Sequence, residues 1–304
     1  MEKIEVLWSG GFDSTFMLIL LAKNFNGEIQ PYYLNSNRHL KEFEINAIKK
    51  IYKMLKDKTD LKAKILPVKF VQEKFFIPSA DVVQAFNRLL TYYPNFGKQQ
   101  QILAEFSKKH KGIYCGQRTY SNVMGGSRLL MFKFGNIKID SNKVGYFLES
   151  DCNSDVFLLY GNMKHPLITY TEKDMLSTIK SWKYEDVFQY INFCYFPING
   201  KPCGMCFPCS VKLKQNNTYL FDDDGLRRYK VYNQLKNENL LVGSIAIHEI
   251  FACCYSSVFK KHFIESFDKK SQFVIEKFID SKICFYKEYF DSLLSSVDVK
   301  ENVV

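Results

Sequence analysis

Apolar and polar residues fall along this chain in blocks. Ile4-Glu5-Val6-Leu7-Trp8 is a short apolar run that stops at Ser9-Gly10-Gly11, and Asp13-Ser14-Thr15 leads into a second apolar stretch over residues 16–22. The first block has the length of a strand, and the second reads as a buried helix. Residues 28–35 read as a second strand and residues 62–70 (KAKILPVKF) as a third. From Arg38 to about Leu55, Phe43, Ala47, Ile51 and Leu55 recur on one side at helical spacing. Helical patterns return near residues 80–90 and 98–110, and Gly112-Ile113-Tyr114-Cys115-Gly116 is a short strand that ends in glycine. This alternation predicts an α/β fold with a doubly wound parallel sheet, whose ligands bind at the carboxyl ends of the strands.

The rhythm breaks over residues 128–160. Residues 129–139 and 144–148 look like two antiparallel strands around Asp140-Ser141-Asn142-Lys143, an inserted β-hairpin. A helix is expected from Thr171 to about Trp182, with Thr171 as its N-cap and Asp174 three residues on in a capping-box position. Residues 226–294 read as largely helical. Phe251, Tyr255, Phe259, Phe263 and Phe267 recur there every four residues, a stripe expected to pack on its own domain rather than to serve as a docking face. The predicted organisation is an α/β domain over residues 1–190, a cysteine segment over 191–215 and a helical C-terminal extension over 216–304.

With 304 residues, 46% hydrophobic and 24% charged, the chain is of the globular class and can bury a large core. The net charge of +10 suits polyphosphates, nucleic acid or an acidic protein surface without choosing among them. No window reaches the roughly 18 apolar residues of a membrane span. The first apolar run is the strand that carries the glycine turn, so no leader is expected and the expected location is the cytoplasm. There the nine cysteines are poor disulfide candidates, and clustered ones should be metal ligands.

A strand, a glycine turn and a helix start together suit phosphate. Two glycines let the backbone turn sharply and approach an anion, and the amides of the helix start point at it with the helix dipole behind them. Ser9, Gly10, Gly11, Asp13, Ser14 and Thr15 are therefore the candidate nucleotide-binding residues, with Asp13 able to cap the helix or hold a metal. The spacing is neither Gly-x-x-x-x-Gly-Lys-Ser/Thr nor Gly-x-Gly-x-x-Gly.

Cys194, Cys203, Cys206 and Cys209 form C-x8-C-x2-C-x2-C. Four such thiolates satisfy a tetrahedral structural zinc; an iron–sulfur cluster and unligated or redox cysteines remain alternatives. Cys115, Cys152, Cys253, Cys254 and Cys284 lack such spacing and are expected in the core.

The Ser-Gly-Gly-x-Asp-Ser turn resembles the loop of the N-type ATP pyrophosphatases, which have the adenine nucleotide alpha hydrolase-like fold. Together with the four cysteines, it makes residues 3–215 similar to the 7-cyano-7-deazaguanine synthase family. Asn37-Arg38-His39, His165-Pro166-Leu167-Ile168 with Lys173, and Lys201-Pro202-Cys203-Gly204 agree with lesser stretches of that family. The resemblance implies a ligase that uses ATP and Mg²⁺ to adenylate the carboxylate of 7-carboxy-7-deazaguanine and hands it to an amine. Asp13, Lys173 and Arg38 would act at the phosphates, beside a structural Zn²⁺. The family's Arg-Asn-Thr motif is absent, with Pro94-Asn95-Phe96-Gly97-Lys98 in its place, and its acidic stretch appears only as Gly116-Gln117-Arg118-Thr119-Tyr120-Ser121-Asn122. Such departures suit the branch found in bacterial antiviral operons. There the acceptor would be a protein amine docking on the C-terminal helices; ammonia, giving 7-cyano-7-deazaguanine as in queuosine biosynthesis, is the other acceptor left open. A homodimer is open, and nucleic acid is not the expected partner. Two other readings stand beside this one: a tRNA-modifying enzyme of the thiolation or lysidine type with the same loop, and a non-catalytic scaffold derived from the synthase.

Overall fold

The computed structural model describes residues 2–35, 41–94, 97–118, 126–139 and 144–299. The chain divides into two compact units, Met1–Asn192 and Phe193–Val304.

The first unit is a mixed α/β structure on a mostly parallel sheet. Its elements are β1 (Lys3–Leu7), α1 (Phe12–Asn24), β2 (Glu28–Asn35), α2 (Lys41–Lys56), β3 (Lys64–Ile65), β4 (Lys69–Gln72), α3 (Ala80–Leu90), α4 (Gln99–Lys109), β5 (Ile113–Tyr114), α5 (Gly126–Phe134), β6 (Ile137–Ile139), β7 (Tyr146–Leu148), α6 (Ser154–Tyr160), β8 (Met163–Lys164), α7 (Glu172–Trp182) and α8 (Glu185–Phe188). The sheet runs β3-β2-β1-β5-β8, with β4 also pairing β2, and every one of these pairings is parallel. β1 lies in the middle, in register with β2 from Lys3 opposite Glu28 to Leu7 opposite Tyr32. From β1 the chain builds outward through β2 to β3 and β4, then returns to lay β5 on the other side of β1. The strand order therefore reverses between β1 and β5, and a crevice opens at the carboxyl ends of strands at such a point.

The middle of α1, residues 16–22, is apolar all round because it is enclosed all round. Phe16, Met17, Leu18, Ile19, Leu21 and Ala22 are removed from solvent, as expected of a helix without a polar face. On α3, Val82, Ala85, Phe86 and Leu89 turn one stripe inward, where Phe86 joins Phe106 of α4 and Tyr160 of α6 in one apolar cluster.

Two expectations need correction. The single strand over residues 62–70 is two short ones, β3 and β4, both on β2. Pro67 lies between them, and proline has no N–H to give to a ladder. Residues 129–134 are the end of helix α5, not strand. The run Leu129-Leu130-Met131-Phe132 is too short for its period to decide, and Leu130 and Met131 enter the same cluster as Phe86. The hairpin itself exists as β6 and β7, antiparallel with Ile137 opposite Leu148; its expected turn, residues 140–143, lies outside the described residues.

The second unit carries α9 (Phe207–Lys214), α10 (Asp223–Glu238), β9 (Leu241–Val242), β10 (Ile245–Ala246), α11 (Ile247–Tyr255), α12 (Ser257–Glu265) and α13 (Gln272–Ser296). It is largely helical, with β9 and β10 as a small antiparallel pair. The cysteine segment and the helices share one core, in which Cys194, Cys203, Cys206 and Cys209 are clustered with Val231, Leu235, Ile250 and Phe251. The aromatic stripe is broken at Ser256, whose hydroxyl accepts from the Phe259 amide and starts a new helix. Its members pack inside this unit: Phe251 meets Phe290 edge-on at 5.2 Å, and Phe259 meets Phe196 at 5.0 Å. Cys115 and Cys253 are buried as expected, Cys152 and Cys254 are half-buried, and Cys284 is exposed on α13, contrary to the core expectation. Among the described residues, no helix is long and apolar enough to cross a membrane.

Candidate functional site

The turn after β1 has the backbone that its glycines predict. Gly10 has φ +71°, in the left-handed region that glycine enters without a Cβ clash. Gly11 follows in extended conformation as the N-cap of α1 and offers no side-chain oxygen to the first turn. The Thr15 amide donates to the Gly11 carbonyl at 3.0 Å, which closes the first turn of the helix. The Ser9 amide donates to Ser14 Oγ at 3.2 Å, and the two serine hydroxyls are 3.1 Å apart. The Asn192 amide donates to the Gly10 carbonyl at 3.0 Å and holds the turn from outside. Ser9, Gly10, Gly11, Asp13 and Ser14 thus form one local arrangement at the carboxyl end of β1. Thr15 differs: it is buried, and its hydroxyl accepts from the Trp8 indole at 3.0 Å.

Asp13 is bound at its first oxygen by Arg118, whose Nε donates to Oδ1 at 2.7 Å. Nη2 of the same guanidinium donates to Oε2 of Glu172 at 2.7 Å. Arg118 follows β5, and Glu172 is the first residue of α7. The carboxyl ends of adjacent strands β1 and β5 therefore supply the two halves of an ion pair at the point where the strand order reverses. Thr171 caps α7 through a reciprocal box with Asp174: the Asp174 amide donates to Thr171 Oγ1 at 3.2 Å, and the Thr171 amide donates to Asp174 Oδ2 at 2.9 Å. The Thr171 hydroxyl, which donates to Asp174 Oδ2 at 2.6 Å, and then the Thr171 amide hold the Asp174 carboxyl below its ordinary range. Lys173 is exposed on that first turn, next to Glu172.

Sequence reasoning singled out Asp13 and Lys173 but missed Arg118 and Glu172, which join the turn at Asp13 to the start of α7. The available signal was position: Arg118 lies just past a strand of a parallel sheet, at the end where ligands bind. Arg38, with Asn37 and His39, lies outside the described residues, as do Asn95, Phe96 and residues 119–125. His165 is a core residue. Its Nε2 is 3.4 Å from the Tyr160 carbonyl oxygen, its Nδ1 has no partner, and burial pushes the imidazole down to about 4.

A cavity of about 320 Å³ opens at the carboxyl ends of β2 and β4, lined mainly by Asn35, Gln72, Phe76, Ile77, Pro78 and Ile102. Its volume is in the range of small-molecule sites. The buried Asn35 Oδ1 has no hydrogen-bond partner.

In the second unit the four cysteines converge. Their Sγ atoms all lie within 4.8 Å of one another, with Cys194–Cys206 at 3.9 Å, Cys203–Cys209 at 3.8 Å and Cys206–Cys209 at 3.4 Å. A tetrahedral zinc with Zn–S bonds of ~2.3 Å places its sulfurs ~3.8 Å apart, so the quartet fits a metal such as zinc. Amides point at sulfur as well: Met205 and Cys206 donate to Cys203 Sγ at 3.3 Å each, and Cys203 donates to Cys194 Sγ at 3.2 Å. Hydrogen bonds received from its three neighbours favour the thiolate of Cys203, while burial pushes Cys194 and Cys209 up. Buried thiolates packed this closely need a cation between them. The knuckle depends on Gly204, with φ +79°, where a Cβ would stand 2.0 Å from the Gly225 carbonyl oxygen. Arg228 is buried and donates to the Cys203 carbonyl at 2.9 Å, which fixes the same turn. Compared with known proteins, the chain matches no family model and no curated protein.

Proposed function

We propose that the chain is an ATP-dependent carbon–nitrogen ligase of the PP-loop kind, one that activates the carboxylate of 7-carboxy-7-deazaguanine. The observation that carries this reading is the Ser9-Gly10-Gly11-Phe12-Asp13-Ser14 turn. It ends the central strand of a parallel sheet, opens a buried helix and adjoins the reversal of strand order. In this reading sheet, turn and helix are those of an adenine nucleotide alpha hydrolase-like fold, and the four-cysteine group holding a structural zinc completes the likeness to the deazaguanine synthases.

The amides of the turn, with Ser9 and Ser14, bind the phosphates. A carboxylate oxygen of the substrate attacks the α-phosphorus, the bond to the bridging oxygen breaks, and pyrophosphate leaves with that electron pair. An amine then attacks the acyl carbon, AMP departs, and the amine loses a proton. Lys173 and Arg38 offset the charge of pyrophosphate and AMP by preorganised electrostatics. Asp13 keeps 29% of its side chain exposed, within reach of a hydrated ion, and is the residue to hold a Mg²⁺ that neutralises phosphate charge. The cavity beside Asn35 suits a flat heterocycle.

The protein incubated with ATP, Mg²⁺ and 7-carboxy-7-deazaguanine should release pyrophosphate in proportion to the carboxylate. ATP turnover indifferent to the carboxylate, or none, refutes the activity. Mass spectrometry of the products separates the acceptors: a nitrile or amide of the base points to ammonia, a deazaguanine mass on a protein to a protein amine.

A further inference from the structure

Three stretches remote in sequence meet on one buried guanidinium. Arg118 has 4% of its side chain exposed, and Glu172 has 6%. Arg118 lies 105 residues from Asp13 and 54 from Glu172, and holds each by a hydrogen bond of 2.7 Å. Asp13 stands in the first turn of α1 and Glu172 in the first turn of α7. Helix N-termini favour carboxylates at those places already. Withdrawing an arginine and a glutamate from water is costly, and such a pair is a weak source of stability. What a guanidinium adds is direction. Its donors lie in one rigid plane, so carboxylates bound at Nε and Nη2 have fixed positions relative to each other, which a lysine would not impose.

We infer that Arg118 is a positioning residue. It locks the Ser9–Ser14 turn to the start of α7, so that the turn and Lys173, the neighbour of Glu172, address the same polyphosphate. The lock is read from geometry; its consequence for turnover rests on the ATP chemistry proposed above. Small misplacements of groups at a reacting centre are expensive, on the order of 100-fold in rate for ~1 Å.

The test uses two variants of the full chain. Arg118→Met with Glu172→Gln removes both buried charges at once and leaves Asp13 able to meet water. Arg118→Lys keeps the charge and loses the planar fork. The double variant should fold with wild-type zinc content. Its amide hydrogen exchange should rise together over residues 9–15 and 171–175, by ~10-fold or more for a loosened local structure. Both variants should lose ~10–100-fold in kcat for pyrophosphate release, with a smaller change in KM. Wild-type turnover by Arg118→Lys overturns the inference, because charge alone would then suffice. Unchanged exchange in either segment of the double variant overturns it as well. If the wild-type protein releases no pyrophosphate, the ligase reading fails, and the exchange of the two segments alone decides the role of Arg118.

Discussion

At the residue scale, two positions, His165 and Gly204, report on how their surroundings were built. His165 is buried with one ring nitrogen unpartnered, and it titrates near 4 rather than at the ordinary value of 6.5. The folded state therefore holds it neutral while the unfolded chain takes up a proton from about pH 6.5 downward. Its contribution to stability is complete above that pH and is lost as the pH falls toward 4, by about 3 kcal/mol in all at ~1.4 kcal/mol per unit. His165→Gln should flatten this acid limb, which urea midpoints at about pH 7 and pH 4.5 will show. Equal losses in the two proteins would refute the neutral buried imidazole. Gly204→Ala sets backbone against backbone, so neither side can yield. We expect a loss of more than ~2 kcal/mol together with reduced zinc content, measured by thermal unfolding and metal analysis. Glycine turns and cysteine spacings were legible in the sequence because they operate over a few residues. The bridge through Arg118 was not, because no local pattern marks a partner that folding brings from 54 or 105 residues away.

At the scale of elements, the helices with a one-sided or fully apolar pattern were legible: α1, α3, α4 and α7 form where their periodicity places them. The failures have two physical origins: Pro67 interrupts the strand expected over residues 62–70, and a short apolar run does not fix its own period. Short apolar runs fit a strand or a buried helix equally well, and tertiary packing chose helix for Leu130 and Met131. α7 is the element whose start matters most to the candidate site, because its first turn carries Glu172 and Lys173. Thr171→Ala removes one side of its capping box and should cost about 1 kcal/mol in denaturant unfolding. It should loosen that turn without changing the cysteine quartet. A neutral substitution would mean that Asp174 and the packing of Met175 and Ile179 suffice to start the helix.

At the scale of the whole molecule, the two units have different sources of order. The first rests on a parallel sheet and on α1, whose residues 15–22 are enclosed. The second has the four cysteines inside its apolar core rather than beside it. Stripping the metal with a chelator should therefore abolish the cooperative unfolding of residues 193–304 and lower the helical signal in circular dichroism, while the signal of the first unit persists. The protein as isolated should carry about one zinc per chain. If chelation left the helices intact, the quartet would be an ornament of a core that stands by itself. A metal held by a quartet inside an apolar core would have a further result in the living cell. If folding of the helices after residue 223 depends on an ion held by the quartet, zinc supply would set how much folded protein accumulates. Cells starved of it should make the same message and the same chain, yet lose the product to proteolysis.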